Sequence, residues 1–292
     1  MKQTPRISFY EASARQRVAG LLDPGSFREI LPPTEKRTSP HLGLFDAPVS
    51  FDDGVVIGEG TLEGKPVAIF AQEGKFRGGS LGEVHAAKIT GLILRAAARK
   101  PQAVLGLLDS GGVRLEEANA GEIGSTEIMR AIFEARRVGV PVIGLLGGSC
   151  GCFGGASIIA GCCDALVASE EARLSVSGPE VIETVMGVEA FDSRDRALVW
   201  RTTGGKNRFL FGKVATLVDD HIPAFRTAAS ALVRPSTPLR LDSLRTERDA
   251  LVRRIATFGT CTDAKQIWEK MGLPADRVSD MTAAELTAAK PA

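Results

Sequence analysis

Apolar and polar positions change their spacing along residues 54–190, and this change predicts strands and helices in turn. Short runs rich in β-branched residues predict strands, and Glu63-Gly64 between two of them is a hairpin signal. Longer runs with apolar residues at every third or fourth position predict helices. The predicted strands are two in 54–73 and one each in 103–110, 140–147, 164–169 and 172–178. The predicted helices lie in 78–100, in 125–138 and, after a glycine-rich crossing, at the end of 147–163.

Turn and cap residues set the expected ends of two of these helices. The helix in 78–100 is expected to open at its glycines and Ser80 and to end at Lys100-Pro101. The helix in 125–138 has Ser125 or Thr126 as its expected cap, because a hydroxyl group can accept a hydrogen bond from the first free N–H groups.

The order of the elements predicts an α/β fold. Strands that alternate with helices indicate a mostly parallel sheet with crossover helices. Small ββα units that repeat and stack favour a spiral over a Rossmann sheet. After residue 190 the chain becomes polar and its pattern predicts helices, two or three of them after Ser243. We expect breaks at Pro223, Pro235 and Pro238.

The two ends of the chain differ from the repeating part. Residues 12–31 predict a short helix, a Pro-Gly turn and a second short helix, and "PPTEKRTSP" (32–40) is typical of a mobile linker. No sharp change in composition marks a boundary. We divide the chain into an N-terminal helical segment and linker (1–40), a core (41–190) and a helical C-terminal region (191–292).

Composition excludes some classes of protein. The 292 residues carry a net charge of +1 and only 5% aromatics, so general nucleic-acid binding is not expected. The sequence contains no run of eighteen apolar residues, so no membrane span is predicted. The first twenty residues lack the apolar core of a signal peptide. We therefore expect a cytoplasmic protein. The five cysteines do not have the spacing of a zinc ribbon, so we expect no metal site. Disulfides are rare in the reducing cytoplasm, so we expect none.

Three glycine pairs carry the candidate chemistry: Gly78-Gly79, Gly111-Gly112 and Gly154-Gly155. The second and third follow strands and lead towards helices, where backbone N–H groups are accessible and the helix end adds partial positive charge. Two such groups that converge form an oxyanion hole, which stabilises negative charge on a carbonyl oxygen. A single pair is more simply explained by a tight turn. Two pairs at neighbouring strand ends favour the functional interpretation. Neither a dinucleotide fingerprint nor a phosphate loop is present.

The motifs around these glycines resemble a known family. "FRGGSLGEVHAAKI", "LDSGGVRLEE", "GVPVIGLLGGSCGCFGGASIIAGCCDALVA" and "ARLSVSGPEVIE" are similar to the acyl-CoA carboxyltransferase branch of the crotonase-like fold, over about residues 11–187. The segment "VEAFDSRDRALVWRTTGGKNRFLFGK" (188–213) resembles the malonate decarboxylase members of that branch. The resemblance implies a crotonase-like spiral of ββα repeats in 41–190.

The resemblance also implies functions for individual residues. Gly111 and Gly112 would present N–H groups to a thioester carbonyl, and Gly154 and Gly155 would supply the opposing donor. The implied substrate-binding residues are Gly78, Gly79, Ser110, Arg114, Ser149 and Cys150. The implied reaction is decarboxylation of a malonyl thioester. The thioester would be carried on the phosphopantetheine-type group of an acyl carrier protein, with no cofactor bound by this chain and a homologous crotonase-like second subunit as partner.

Alternatives remain open at this point. A carboxyltransferase subunit of a biotin-dependent carboxylase would use the same glycines, although the chain has no Met-Lys-Met biotin attachment site. A non-catalytic scaffold is the other alternative. Hydratases of the wider crotonase-like fold place a glutamate just after the corresponding glycine pair, and no acidic residue follows Gly155 closely, so the resemblance disfavours hydration.

The proton donor is not evident from the sequence. His85 is expected to be structural, His41 lies in the linker-like stretch, and Glu116 and Glu117 are expected in a solvated loop. A cluster of basic residues lies beside Trp200 and Phe209 and is more simply explained as a solvated face than as a carrier-binding surface. Its members are Arg201, Lys206, Arg208 and Lys213.

Overall fold

The computed structural model describes residues 7–44, 46, 53–117 and 119–290. The strands are β1 (Arg28–Ile30), β2 (Val55–Leu62), β3 (Lys65–Gln72), β4 (Ala103–Leu108), β5 (Val142–Leu146), β6 (Cys152–Phe153), β7 (Ala165–Ser169), β8 (Leu174–Ser175) and β9 (Thr216–Val218). The helices are α1 (Ala14–Leu21), α2 (Pro40–Leu44), α3 (Glu83–Arg99), α4 (Asn119–Arg137), α5 (Gly155–Cys162), α6 (Pro179–Met186), α7 (Arg196–Thr203), α8 (Gly205–Leu210), α9 (Ile222–Leu232), α10 (Leu241–Phe258), α11 (Ala264–Lys270) and α12 (Ala283–Ala289).

Seven strands form one sheet in the order β1-β2-β3-β4-β5-β7-β9. The pairs β1–β2 and β2–β3 are antiparallel, and all later pairs are parallel. The strands β6 and β8 form a small parallel sheet of their own. The predicted α/β class with a mostly parallel sheet and the hairpin at Glu63-Gly64 are confirmed.

The main sheet is covered on both faces. Along β4, Val104 and Leu108 belong to one core cluster, with α3, α4 and α5, whereas Leu105 and Leu107 belong to the other, with α1 and α9. This alternation is what a strand produces, since successive side chains point to opposite faces. All six residues of β4 are buried, which explains its continuous apolar run.

Several predicted elements differ from the observed ones. The second short helix in 12–31 is wrong: its residues form β1, which pairs with the edge of β2 from Arg28 opposite Glu59. The linker contains a 3-10 turn (Pro33–Glu35) and the start of α2. The region after 190 is helical but also contributes β9, and Pro223 lies in the first turn of α9 instead of breaking a helix.

Two helix starts were also misplaced. The N-cap of α3 is Gly82, not Ser80, whose hydroxyl instead accepts a hydrogen bond from Arg114. The helix α4 begins six residues before the predicted start, so Ser125 lies inside it and donates to the Gly121 carbonyl. Within the described residues, no helix combines the length and the apolar character that crossing a membrane requires.

Candidate active site

The three glycine pairs lie in loops that we call the first (Gly78-Gly79), second (Gly111-Gly112) and third (Gly154-Gly155) crossings. These loops meet at the carboxyl ends of β3, β4 and β5. The Gly111 N–H donates to the Gly78 carbonyl at 2.8 Å, which joins the first crossing to the second. The Phe153 N–H donates to the Ser110 carbonyl at 2.9 Å, which joins the second to the third. Parallel strands place their carboxyl ends at one edge, and ligand sites of α/β sheets are found there.

Gly112 and Gly154 face each other across the second and third crossings. Their φ angles are +129° and +55°, in the region that favours glycine. A Cβ on Gly154 would lie 3.2 Å from the Gly112 Cα. Backbone therefore approaches backbone here, and side chains at these two positions would separate the crossings.

Only some backbone N–H groups at the crossings are free to bind a ligand. Gly111 donates to Gly78, Gly112 donates to the Ser110 hydroxyl at 3.2 Å, and Gly154 donates to the Val176 carbonyl at 2.9 Å. Three of the four glycines expected to be donors are therefore engaged inside the protein. Among the described residues, the N–H of Gly155, at the first position of α5, has no acceptor.

The sequence interpretation missed a second free donor, Val113. Leu81 donates to the Gly112 carbonyl and accepts from the Arg114 N–H, at 2.8 and 2.9 Å. Because successive N–H groups of extended backbone point to opposite sides, the Val113 N–H points away from Leu81. It has no acceptor within the described chain. A Val113 methyl group lies 3.3 Å from the position of a Cβ on Gly155, so the two free donors belong to neighbouring residues.

The residues expected to bind substrate fall into two groups. Gly78 is exposed, with no atom within 4 Å of a Cβ built on it, so the backbone beside it is open. Gly79 is buried, and a Cβ there would overlap the Asp109 carbonyl oxygen. Ser110 is fully buried, and its hydroxyl holds the Gly112 N–H. Gly79 and Ser110 therefore shape the crossings from inside.

Arg114 is held by partners inside the protein. Its guanidinium is buried and forms an ion pair with Glu117 at 3.0 Å. It also donates to the carbonyl oxygens of Ser80 and Asp53, at 2.8 and 3.1 Å. Glu117 is buried as well, not in a solvated loop, and it accepts from the Glu83 N–H. This ion pair supports the second crossing, and four of the five N–H donors of Arg114 have acceptors inside the protein.

Ser149 and Cys150 lie next to the third crossing. The Cys150 thiol donates to the Gly74 carbonyl at 3.2 Å, and its backbone N–H donates to Asp109 at 2.8 Å. Burial and the nearby Asp109 carboxylate raise the pKa of this thiol, which keeps it protonated at neutral pH. The Ser149 carbonyl accepts from Arg173. Both residues are partly exposed.

The histidines and the basic run have internal partners. His85 is fully buried between Gln72 and the Asp53 carbonyl, and burial lowers its pKa to about 3, so it is a neutral structural residue as expected. His41 binds Glu83 at 2.8 Å and His221 caps α9. The four basic residues after Trp200 do not form a free face: they bind Asp263 (Arg201), Glu170 (Lys206) and the carbonyl oxygens of Leu174 (Arg208) and Gly161 (Lys213).

Two buried charged residues were not predicted. Asp109, which the sequence analysis did not single out, is 1% exposed and pairs with Arg17 of α1 at 2.9 Å. An acidic residue directly after a fully buried strand was the available signal. Nothing in the pattern of α1 distinguishes Arg17 from a surface arginine. No group of three or more metal-ligating side chains occurs in the part of the chain that the structure describes.

The fold and the paired glycine crossings define a class, and sequence comparison gives the same one. The carboxyl transferase domain family matches residues 11–201. The chain belongs to this family, which confirms the crotonase-like resemblance, and its chemistry is carboxyl transfer in the broad sense.

Individual relatives narrow the class. The chain is 42% identical to the malonyl-S-ACP:biotin-protein carboxyltransferase MADC of Malonomonas rubra, over 78% of this chain and 76% of that protein. It is similar to the solved structure of a Pseudomonas malonate decarboxylase hetero-tetramer in complex with malonate, with 40% identity, a TM-score of 0.81, and coverage of 91% of this chain and 97% of that one. The propionyl-CoA carboxylase beta chain of Saccharopolyspora erythraea is 34% identical over 75% of this chain, which spans only 39% of that protein.

Proposed function

We propose that this chain is a subunit of a malonate decarboxylase and that it decarboxylates a malonyl thioester carried on an acyl carrier protein. The observation that carries the proposal is the pair of free backbone donors, Val113 and Gly155, on crossings whose glycines allow backbone-to-backbone contact. The similarity to the Pseudomonas malonate decarboxylase chain over almost its whole length supports the choice of substrate.

In the proposed reaction, the bond between the carboxylate carbon and the α-carbon breaks and carbon dioxide leaves. The electron pair moves onto the thioester oxygen, which becomes an enolate, and the α-carbon then takes up a proton to give an acetyl thioester. Two N–H groups that hold the enolate oxygen stabilise the charge as it develops, and each such donor contributes about 10²–10³-fold in rate. The partial positive charge at the start of α5 acts in the same direction.

The substrate arm and the partner are part of the proposal. The open backbone at Gly78 and the exposed Gly111 leave room for a phosphopantetheine arm beside the donors. Leu115, Ile123 and Ile158 are exposed on the elements that follow the second and third crossings. Exposed apolar side chains around an open site favour an interface, and we propose a homologous crotonase-like subunit there.

A biotin-linked carboxyl transfer is the second candidate, favoured by the identity with MADC. It begins with the same enolate, because the same carbon–carbon bond breaks, but the carboxyl group then passes to biotin on a carrier. The two candidates therefore differ in the fate of the carboxyl group and not in the oxyanion donors.

The test uses the chain co-purified with its native partners and malonyl-acyl carrier protein as substrate. We expect carbon dioxide and acetyl-acyl carrier protein in equal amounts, with the same rate in the presence of avidin. Loss of turnover with avidin would replace the proposal by biotin-dependent transfer. Full activity of the complex without this chain would make it a scaffold.

A further inference from the structure

We infer that Asp109 is a positioning residue: its buried carboxylate, paired with Arg17, fixes the third glycine crossing against the second and so sets the separation of the two free N–H donors. This inference rests on the proposed function, since it concerns the same site. Asp109 is not placed in contact with the substrate.

Asp109 binds three other parts of the chain, two through its carboxylate and one through its backbone N–H. One oxygen accepts from the Arg17 guanidinium at 2.9 Å, and the other accepts from the Cys150 N–H at 2.8 Å. The Asp109 N–H donates to the side-chain oxygen of Gln72, the last residue of β3, at 3.1 Å. Asp109, the residue directly after β4, therefore binds the last residue of β3, the loop that follows β5, and α1.

The surrounding glycines show how closely the backbone fits this side chain. A Cβ on Gly148 would overlap the Asp109 carboxyl group, and one on Gly74 would come within 2.5 Å of it. A Cβ on Gly79 would overlap the Asp109 carbonyl oxygen. All three positions lie between a strand and a glycine crossing or within the first crossing. Their lack of side chains is explained by the space that Asp109 occupies.

Arg17 makes a buried carboxylate possible here. Both side chains are only 2% exposed, and a lone charge at that depth would be strongly unfavourable. Two further donors of Arg17 bind the carbonyl oxygens of Phe9 and Tyr10, at 2.8 and 3.2 Å, so the guanidinium is held in place. Because the carboxylate is charged, its bond to the Cys150 N–H is shorter and stronger than a neutral one.

The consequence for catalysis follows from the narrow range of distances over which oxyanion donors act. Oxyanion donors act only when they lie about 2.7–3.1 Å from the developing charge. A shift of the third crossing by about 1 Å relative to the second costs about 10²-fold in rate. Val113 is four residues after Asp109, and Gly155 is five after Cys150. The bond between Asp109 and Cys150 thus joins the two segments a few residues before each donor.

The chain contains a matched control at the opposite end of the sheet. Asp164, directly before β7, accepts from Arg136 at 3.0 Å and from the Val142 N–H, at the start of β5, at 2.8 Å. Like Asp109, it joins an arginine to the backbone of a neighbouring strand. It lies at the amino ends of the strands, away from the glycine crossings.

The experiment compares Asp109→Asn with Asp164→Asn in the co-purified complex. We expect Asp109→Asn to lower kcat about 10- to 100-fold with KM within about threefold of wild type, because the donors are misplaced while the binding surface stays. We expect Asp164→Asn to lower the melting temperature and leave kcat unchanged. Wild-type kcat in Asp109→Asn, or equal losses of kcat in both variants, would overturn the inference.

A second variant and a measurement that does not depend on turnover also test the inference. If Asp109→Asn does not fold, Arg17→Lys replaces it, because this variant preserves the charge and removes the bonds to the Phe9 and Tyr10 carbonyl oxygens. We again expect a lower kcat with little change in KM. Hydrogen exchange of amides 149–155 does not depend on turnover: we expect it to be faster in Asp109→Asn than in wild type and unchanged in Asp164→Asn. A wild-type complex without any turnover would refute the proposed function, and unchanged exchange in Asp109→Asn would refute the positioning role.

Discussion

At the scale of single residues, the glycines of the crossings have different functions. Gly79 and Gly148 leave space for Asp109, whereas Gly112 and Gly154 adopt positive φ angles. Gly155 is not among the glycines with positive φ, packs beside Ser125 instead of Asp109, and carries the free N–H. A substitution at Gly112 therefore tests folding and not catalysis, since neither proline nor alanine adopts a φ of +129° without strain.

The donor role of Gly155 is testable by a pair of substitutions. Gly155→Pro removes the N–H at the first position of a helix, where proline is well tolerated, and Gly155→Ala keeps it. Both are made in a Ser125→Ala background, because a Cβ at 155 would lie 2.8 Å from the Ser125 hydroxyl. We expect the proline variant to be about 10²-fold slower in single-turnover decarboxylation than the alanine variant.

The alanine variant is the control for the added side chain, and circular dichroism and partner binding must match between the two. Equal single-turnover rates in a matched pair would exclude Gly155 as an oxyanion donor.

His85 makes a contribution to stability that depends on pH. Burial, with Arg114 and Lys88 nearby, lowers its pKa to about 3 from an unfolded value of 6.5. Between these values only the unfolded chain binds the proton, so stability is lost as the pH falls below 6.5. Relative to His85→Asn, we expect an extra loss of about 2 kcal/mol in total between pH 7 and pH 5, measured by urea unfolding, with a slope that approaches about 1.4 kcal/mol per pH unit only below pH 6. Parallel pH profiles of the two proteins would contradict this.

At the scale of elements, α1 depends on its first turn. Ser13 and Gln16 form a capping box, in which each side chain accepts from the other residue's backbone N–H. We expect Ser13→Ala to lower the free energy of unfolding by about 1 kcal/mol, measured by urea unfolding. Ser243→Ala, inside the exposed helix α10, is the control and should change it little. A smaller loss at Ser13 than at Ser243 would show that the cap does not stabilise α1.

At the scale of the whole molecule, each face of the sheet carries a half-exposed isoleucine, and we expect only one of the two to lie in the interface with the partner. We propose that the partner subunit covers the surface around α5, where Ile158 is 46% exposed. Ile7 is 47% exposed and lies beside α9, on the other side of the sheet. We expect Ile158→Asp to weaken assembly at least tenfold and Ile7→Asp to leave it intact, measured by light scattering across a concentration series. Equal assembly of both variants would place the interface elsewhere.

The sequence by itself determined the order of most elements and the family. Buried parallel strands require continuous apolar runs, and the glycine pairs are required wherever backbone meets backbone, so both leave a local signal in the chain. The same locality explains the errors. The strand β1 forms because its backbone pairs with β2, which is distant in the sequence. Ser125 is not a cap because α4 already begins at Asn119.

Only the tertiary structure decided which groups face the site. Whether a backbone N–H is free depends on acceptors far along the chain: Gly111 is engaged by Gly78, while Gly155 is not engaged by any described residue. Likewise, Arg17 and Asp109 are 92 residues apart, and only folding brings them to 2.9 Å and out of water. The sequence specifies the residue types that the chemistry needs, but hydrogen-bond partners and burial arise from contacts between distant segments, which no local pattern records.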